Sequence, residues 1–171
     1  ALWSRPANVQ PKTVRLSIPL REGSEITSSP AITSDGRTVA YVARQGTEDS
    51  LLYLRDLDSV EARVVAGSNG ARQPFFSPDN KWVAFFAQSH LQKAEVKGGP
   101  AVRLVEAPYP FGGTWTEDDT IIYAGSIGSG LLRIPAAGGA PVAISKPDGA
   151  ANGYGHVWPQ ALPGGRVLFT I

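Results

Sequence analysis

Ser126 is the first residue that could do chemistry, because Ala124-Gly-Ser-Ile-Gly128 is one residue away from the Gly-x-Ser-x-Gly turn that presents a nucleophilic serine. Such an elbow needs a strand running into a helix, with a base nearby. Ser126 instead stands between Ile121-Ile-Tyr123 and Leu131-Leu-Arg-Ile134, two apolar runs that frame a hairpin loop. The Gly-rich stretch 125–130 could cradle a phosphate only if a helix N-terminus followed it, and none is expected there. Glu117, Asp118 and Asp119 are the densest carboxylate group, of the kind that binds calcium or exchanges protons when several converge on one cavity. His90 and His156 are the two imidazoles, too few for a multi-histidine metal site. His90 lies beside a turn. His156 precedes Val157-Trp-Pro159 at the entrance to a strand, which suits a base or ligand, and suits packing as well. The chain has no Cys, which excludes disulfides, thiolate catalysis, cysteine zinc sites and iron–sulfur clusters. No catalytic residue, metal or cofactor is expected.

The elements that position these residues come from a repeat. Pro30-Ala-Ile-Thr-Ser-Asp-Gly-Arg-Thr-Val-Ala-Tyr41 reappears as Pro74-Phe-Phe-Ser-Pro-Asp-Asn-Lys-Trp-Val-Ala-Phe85. A third copy runs Gly113-Thr-Trp-Thr-Glu-Asp-Asp-Thr-Ile-Ile-Tyr123, and a fourth Pro159-Gln-Ala-Leu-Pro-Gly-Gly-Arg-Val-Leu-Phe169. With Asp35, Asp79, Asp118 and Gly164 taken as equivalent, the offsets are 44, 39 and 46 residues. A four-stranded propeller blade takes roughly 40–50.

Each copy has hairpin logic. A short apolar segment ends in a polar turn whose Asp, Asn and Gly tolerate a left-handed backbone. A β-branched and aromatic run follows, which is strand composition. This accounts for the 117–119 carboxylates as solvated turn residues. Nineteen Gly and fourteen Pro argue for many turns and against long helices. The fold class is therefore all-β: a β-propeller fragment of about three and a half four-stranded antiparallel blades, at about 28–66, 71–106 and 110–145, with a half blade at 156–171. Ile32, Phe76 and Trp115 take equivalent positions in the expected core. Residues 1–13 read as a tether, and 14–171 as the partial propeller. The alternation over 14–18 predicts an outer strand, which could join the half blade of a second copy in a homodimer that completes a ring.

Sixteen Lys and Arg against fifteen Asp and Glu leave a net charge of +1, so nucleic acid is not an expected partner. No apolar run approaches the ~18 residues of a membrane-spanning helix.

The segment Phe75-Phe-Ser-Pro-Asp-Asn-Lys-Trp-Val-Ala-Phe-Phe86, with Leu162-Pro-Gly-Gly-Arg-Val-Leu-Phe-Thr170, resembles the WD-like repeats of TolB-type β-propellers. The whole order of motifs resembles the C-terminal propeller of bacterial serine/threonine protein kinases. That resemblance implies a non-catalytic sensor or scaffold module, binding a protein, peptide or cell-wall-derived ligand. It also implies an extracytoplasmic location, with Leu2-Trp-Ser-Arg5 similar to the end of a membrane span and residues 1–13 a juxtamembrane linker. The same repeats occur in prolyl-oligopeptidase-like hydrolases, where the propeller gates substrate; that is the alternative. In either case, binding is expected where the loops 67–73, 106–112 and 146–156 gather with 43–50, 87–90 and 125–130. Arg44, Arg72, Tyr109, Phe111, Tyr154 and His156 are the candidate ligand- or partner-binding residues there, because aromatic side chains beside Arg on rigidly held loops favour recognition.

Overall fold

The computed structural model describes residues 15, 17–148, 153 and 155–171. These form an all-β structure built from antiparallel sheets that follow one another along the chain. Blade 1 contains β1 (Ser24–Ile32), β2 (Thr38–Gln45), β3 (Leu51–Asp56) and β4 (Arg63–Val64). Blade 2 contains β5 (Arg72–Phe76), β6 (Trp82–Ala87), β7 (His90–Glu95) and β8 (Val102–Glu106). Blade 3 contains β9 (Gly113–Trp115), β10 (Thr120–Tyr123), β11 (Leu132–Pro135) and β12 (Val142–Ala143). The last sheet is a hairpin of β13 (Val157–Leu162) and β14 (Arg166–Thr170). In each full blade the strand order equals the sequence order. The fold is a partial β-propeller.

The inner hairpins explain why the repeat looks as it does. Thr33 Oγ1 accepts the Arg37 and Thr38 amides at 3.1 and 2.9 Å, and Asp35 Oδ1 accepts the Arg37 amide at 3.0 Å. In the next copy Ser77 Oγ donates to Asp79 Oδ1 at 2.6 Å while Asp79 Oδ1 accepts the Lys81 amide. Thr116 and Asp118 repeat the hydroxyl–carboxylate pair. The residue after each Asp is left-handed, at φ 69° for Gly36, 61° for Asn80 and 58° for Asp119. In the fourth copy Gly164 and Gly165 make the turn without a carboxylate, at φ 78° and 72°. The side-chain oxygens satisfy backbone amides that a tight turn leaves without partners.

The second strand of each blade carries the core. Side chains alternate across a strand, so β6 sends Val83 and Phe85 towards blade 1 and Ala84 and Phe86 towards blade 3. Phe85 and Phe86 are both fully buried, and each contributes about 1.5–3 kcal/mol of apolar burial. Ile122, Ala124 and Leu131 take Val167 and Phe169 of the final hairpin.

Two expectations fail at the first blade. Ile32, Phe76 and Trp115 are equivalent in register, each opposite the start of its second strand. Trp115 is 5% exposed, yet Ile32 is 56% exposed. This position faces the preceding blade, and for blade 1 the described residues hold none. The segment 14–18 is not seen as an outer strand: residues 15, 17 and 18 carry no strand, and Val14 and Leu16 lie outside the described residues. Ile18 and Leu20 instead pack on the outward face of blade 1 against Val39, Tyr41 and Ala43. Arg55 Nη1 donates to the Ser17 carbonyl at 2.9 Å, so a buried guanidinium fastens this segment as a cover over the sheet. The side chains of 18 and 20 are thus engaged in a face contact within their own chain.

Candidate binding site at the channel mouth

Every copy of the repeat begins with Pro or Gly, and these starts come together. Pro30, Pro74, Gly113 and Pro159, with their preceding residues Ser29, Gln73, Gly112 and Trp158, line one concavity of about 310 Å³ around the propeller axis. Proline suits the first residue of a strand, where no ladder amide is required. Glycine is required for a different reason in the third copy. A Cβ at Gly112 would meet the Trp158 ring, and one at Gly113 the Phe75 ring, at 2.8 and 2.7 Å.

Two of the preceding residues are held in an unfavourable backbone conformation. Gln73 and Trp158 have φ of 52° and 54°, which costs a non-glycine residue on the order of 1–3 kcal/mol. Hydrogen bonds between blades hold them there. The Gln73 amide donates to Ser28 Oγ at 2.8 Å, the Gly112 amide donates to Gln73 Oε1 at 3.0 Å, and the Trp158 amide donates to the Phe111 carbonyl at 2.7 Å. One bond therefore crosses each successive blade boundary at the mouth. The Trp158 ring is 51% exposed and stands edge-on to Phe111, with centroids 6.5 Å apart. Backbone strain of this kind collects where a side chain must be aimed at a ligand.

The residues expected at this end are divided by the structure. Phe111 packs against Ile122, Ala124 and Leu131 while meeting Trp158 at the rim. Arg72 is exposed at the start of β5, next to Gln73. Tyr109 is 61% exposed, and its amide donates to the Gly125 carbonyl. Arg44 is paired instead with Glu25 across β1 and β2, Nε to Oε1 at 2.6 Å. Tyr154 lies outside the described residues. His156 is half-buried, with its ring centroid 4.6 Å from that of Phe169. Its Nδ1 lies 2.6 Å from Ser145 Oγ, which also accepts the Leu131 amide at 2.8 Å. The pair joins the end of blade 3 to the final hairpin.

Ser126 sits in the loop between β10 and β11, a strand-to-strand connection, and its carbonyl accepts Ser129 Oγ at 2.8 Å. The carboxylates at 118 and 119 are turn components, with Asp119 Oδ1 accepting Trp115 Nε1 at 2.9 Å. Sequence reasoning missed Gln73 and Trp158. The signal was present: each immediately precedes the proline that opens a repeat.

No family model matches the chain, and no curated protein does. Solved structures do. A chain of a nidogen/laminin complex is 13% identical with a TM-score of 0.61, covering 82% of this chain and 54% of that one. TolB from Acinetobacter baumannii is 17% identical with a TM-score of 0.57, covering 76% of this chain and 34% of that one. An acylaminoacyl peptidase is 21% identical with a TM-score of 0.50, covering 61% of this chain and 18% of that one. This chain thus spans about half the length of the first and less of the others. At these identities the likeness establishes the fold alone, a β-propeller.

Proposed function

We propose that the chain is a non-catalytic binding module, the sensor or interaction propeller of a larger bacterial receptor-kinase-like protein. It is held outside the cytoplasm on the 1–13 tether and takes a protein or peptide ligand, including peptides released from the cell wall, at the channel mouth. The observation that carries this reading is Trp158. A half-exposed indole is fixed in a left-handed conformation beside Phe111, in a concavity to which all four repeats contribute the same position. Rigid aromatic anchors in a concave site supply affinity at small conformational cost. The tether and its Leu2-Trp-Ser-Arg5 sequence support the placement outside the membrane.

Binding is tested by titrating soluble muropeptides and a set of extended peptides while following tryptophan fluorescence. Saturable quenching that is lost in Trp158→Ala and kept in Arg44→Ala supports the site. Quenching indifferent to Trp158→Ala removes it.

The similarity to an acylaminoacyl peptidase favours a second reading, in which the propeller gates substrate for a prolyl-oligopeptidase-like catalytic domain. The full-length gene separates the two. A kinase domain and an apolar span upstream support the sensor, whereas an α/β domain with Ser, Asp and His downstream supports the gate.

A further inference from the structure

A cavity of about 770 Å³ lies at the opposite end from the channel mouth, in the wedge between blades 1 and 2. It is bounded by the inner turn of blade 2 at Asn80 and Lys81 and by the connection from β3 to β4 at Ser59, Glu61 and Ala62. In an up-and-down blade those connections sit at the end away from the strand starts. The volume falls within the roughly 300–1,000 Å³ of small-ligand and side-chain pockets.

Its openness follows from one residue type. Thr38, Trp82 and Thr120 are equivalent, each the first residue of a second strand and each directed at the following blade. Between blades 2 and 3 the Trp82 indole packs on the shared core, and Lys93 Nζ lies 4.1 Å from its ring centroid. Between blades 1 and 2 the corresponding residues are Thr38 and Leu54. Thr38 turns its hydroxyl to Asp56 at 2.7 Å, and Leu54 forms a buried apolar floor with Val96. The blade 2–3 wedge receives the Trp82 indole, whereas in the blade 1–2 wedge, which Trp82 borders from the blade 2 side, the equivalent position carries Thr38. Between blade 3 and the final hairpin the counterpart of Leu54 is Arg133, and that wedge, about 540 Å³, has a charged wall.

We propose that the blade 1–2 wedge is a binding site for an aromatic side chain, ideally an indole, presented by a polypeptide partner. The molecule itself supplies the template: Trp82 shows what fills such a wedge when the chain provides it. The lining carries Asp56, Glu61 and Glu95 against Arg63, Lys81 and Lys97. Three charges of each sign select a near-neutral segment, with cations available to stand over the ring as Lys93 stands over Trp82.

The test uses the whole chain with N-acetyl-tryptophanamide and a capped Gly-Trp-Gly peptide, followed by NMR. Saturable shifts of the Leu54 and Val96 methyl groups are expected. Thr38→Trp copies the blade 2 solution and weakens binding at least tenfold. Ala62→Trp fills the wedge from an exposed rim position and does the same, should the buried substitution fail to fold. Trp158→Ala leaves this binding unchanged, so the wedge and the channel mouth stand or fall separately. Absence of saturable shifts at Leu54 and Val96, shifts confined to Gly112 and Gly113, or full binding by a folded Ala62→Trp protein would each overturn the proposal.

Discussion

Gln73 Oε1 accepts the backbone amide of Gly112 at 3.0 Å, so a side chain of blade 2 caps the strand start of blade 3. The same residue's amide is taken by Ser28 of blade 1. Gln73 therefore couples three consecutive blades at the channel mouth while holding a left-handed backbone. A single residue with three such duties makes separable predictions.

Gln73→Ala loses the cap on Gly112 and keeps the strained φ, and is expected to destabilise the fold by about 1–2 kcal/mol. Gln73→Gly loses the same cap but relieves the left-handed strain, so it is expected to be about 1 kcal/mol more stable than the alanine variant. Urea unfolding of the pair measures the difference. Equal midpoints would show that the left-handed conformation carries no strain.

The Asp35, Asp79 and Asp118 carboxyls are held below the usual aspartate range, chiefly by the Thr33, Ser77 and Thr116 hydroxyls. Backbone amides at Arg37 and Lys81 add to this for the first two. The folded carboxyls bind protons less tightly than the unfolded ones. Their contribution is thus complete above the ordinary aspartate value of 3.8 and is lost as pH falls through the lower folded values. Asp79→Asn is expected to lower stability at pH 7 and to flatten the acid limb of a stability–pH profile. A variant profile parallel to that of the wild type down to pH 2 would assign acid sensitivity elsewhere.

Tyr123 is fully buried between blades 2 and 3, and its hydroxyl has no hydrogen-bond partner among the described residues. Burial alone pushes its pKa up to about 12. An unpartnered buried hydroxyl costs about 1–3 kcal/mol. Tyr123→Phe keeps the ring and removes the hydroxyl, so the thermal midpoint should rise and stability increase by about 1 kcal/mol. A lower midpoint would reveal a bonded hydroxyl.

A Cβ at Gly130 would run into the Ser145 carbonyl, beside the hydroxyl that joins Leu131 to His156. Gly130→Ala is expected to destabilise by about 1–3 kcal/mol as overpacking and to shift the NMR signals of His156 and Phe169. Undisturbed His156 signals would show that the loop relaxes without moving the pair.

What was legible in the sequence was local. In the first three copies the inner hairpin closes over about six residues, and its hydroxyl, carboxylate and left-handed residue are specified by side chains within that span. Thr33-Ser-Asp-Gly36 and Ser77-Pro-Asp-Asn80 therefore disclose strands, turns and period without any knowledge of their surroundings. The propeller follows, since a sheet apolar on both faces must be covered on both. Whether a given side chain is covered depends on a blade roughly 40 residues away, and no local pattern reports that. Ile32 and Trp115 are equivalent in the repeat, yet among the described residues only Trp115 has a preceding blade to bury it. His156 looks available in sequence until Ser145 and Phe169 arrive from other segments to engage it. Thr38 and Trp82 differ by one side chain at one repeat position, and only the packed sheets show that the difference leaves a wedge open. Tertiary structure decided these outcomes because burial is a property of neighbours, whereas a turn is a property of its own residues.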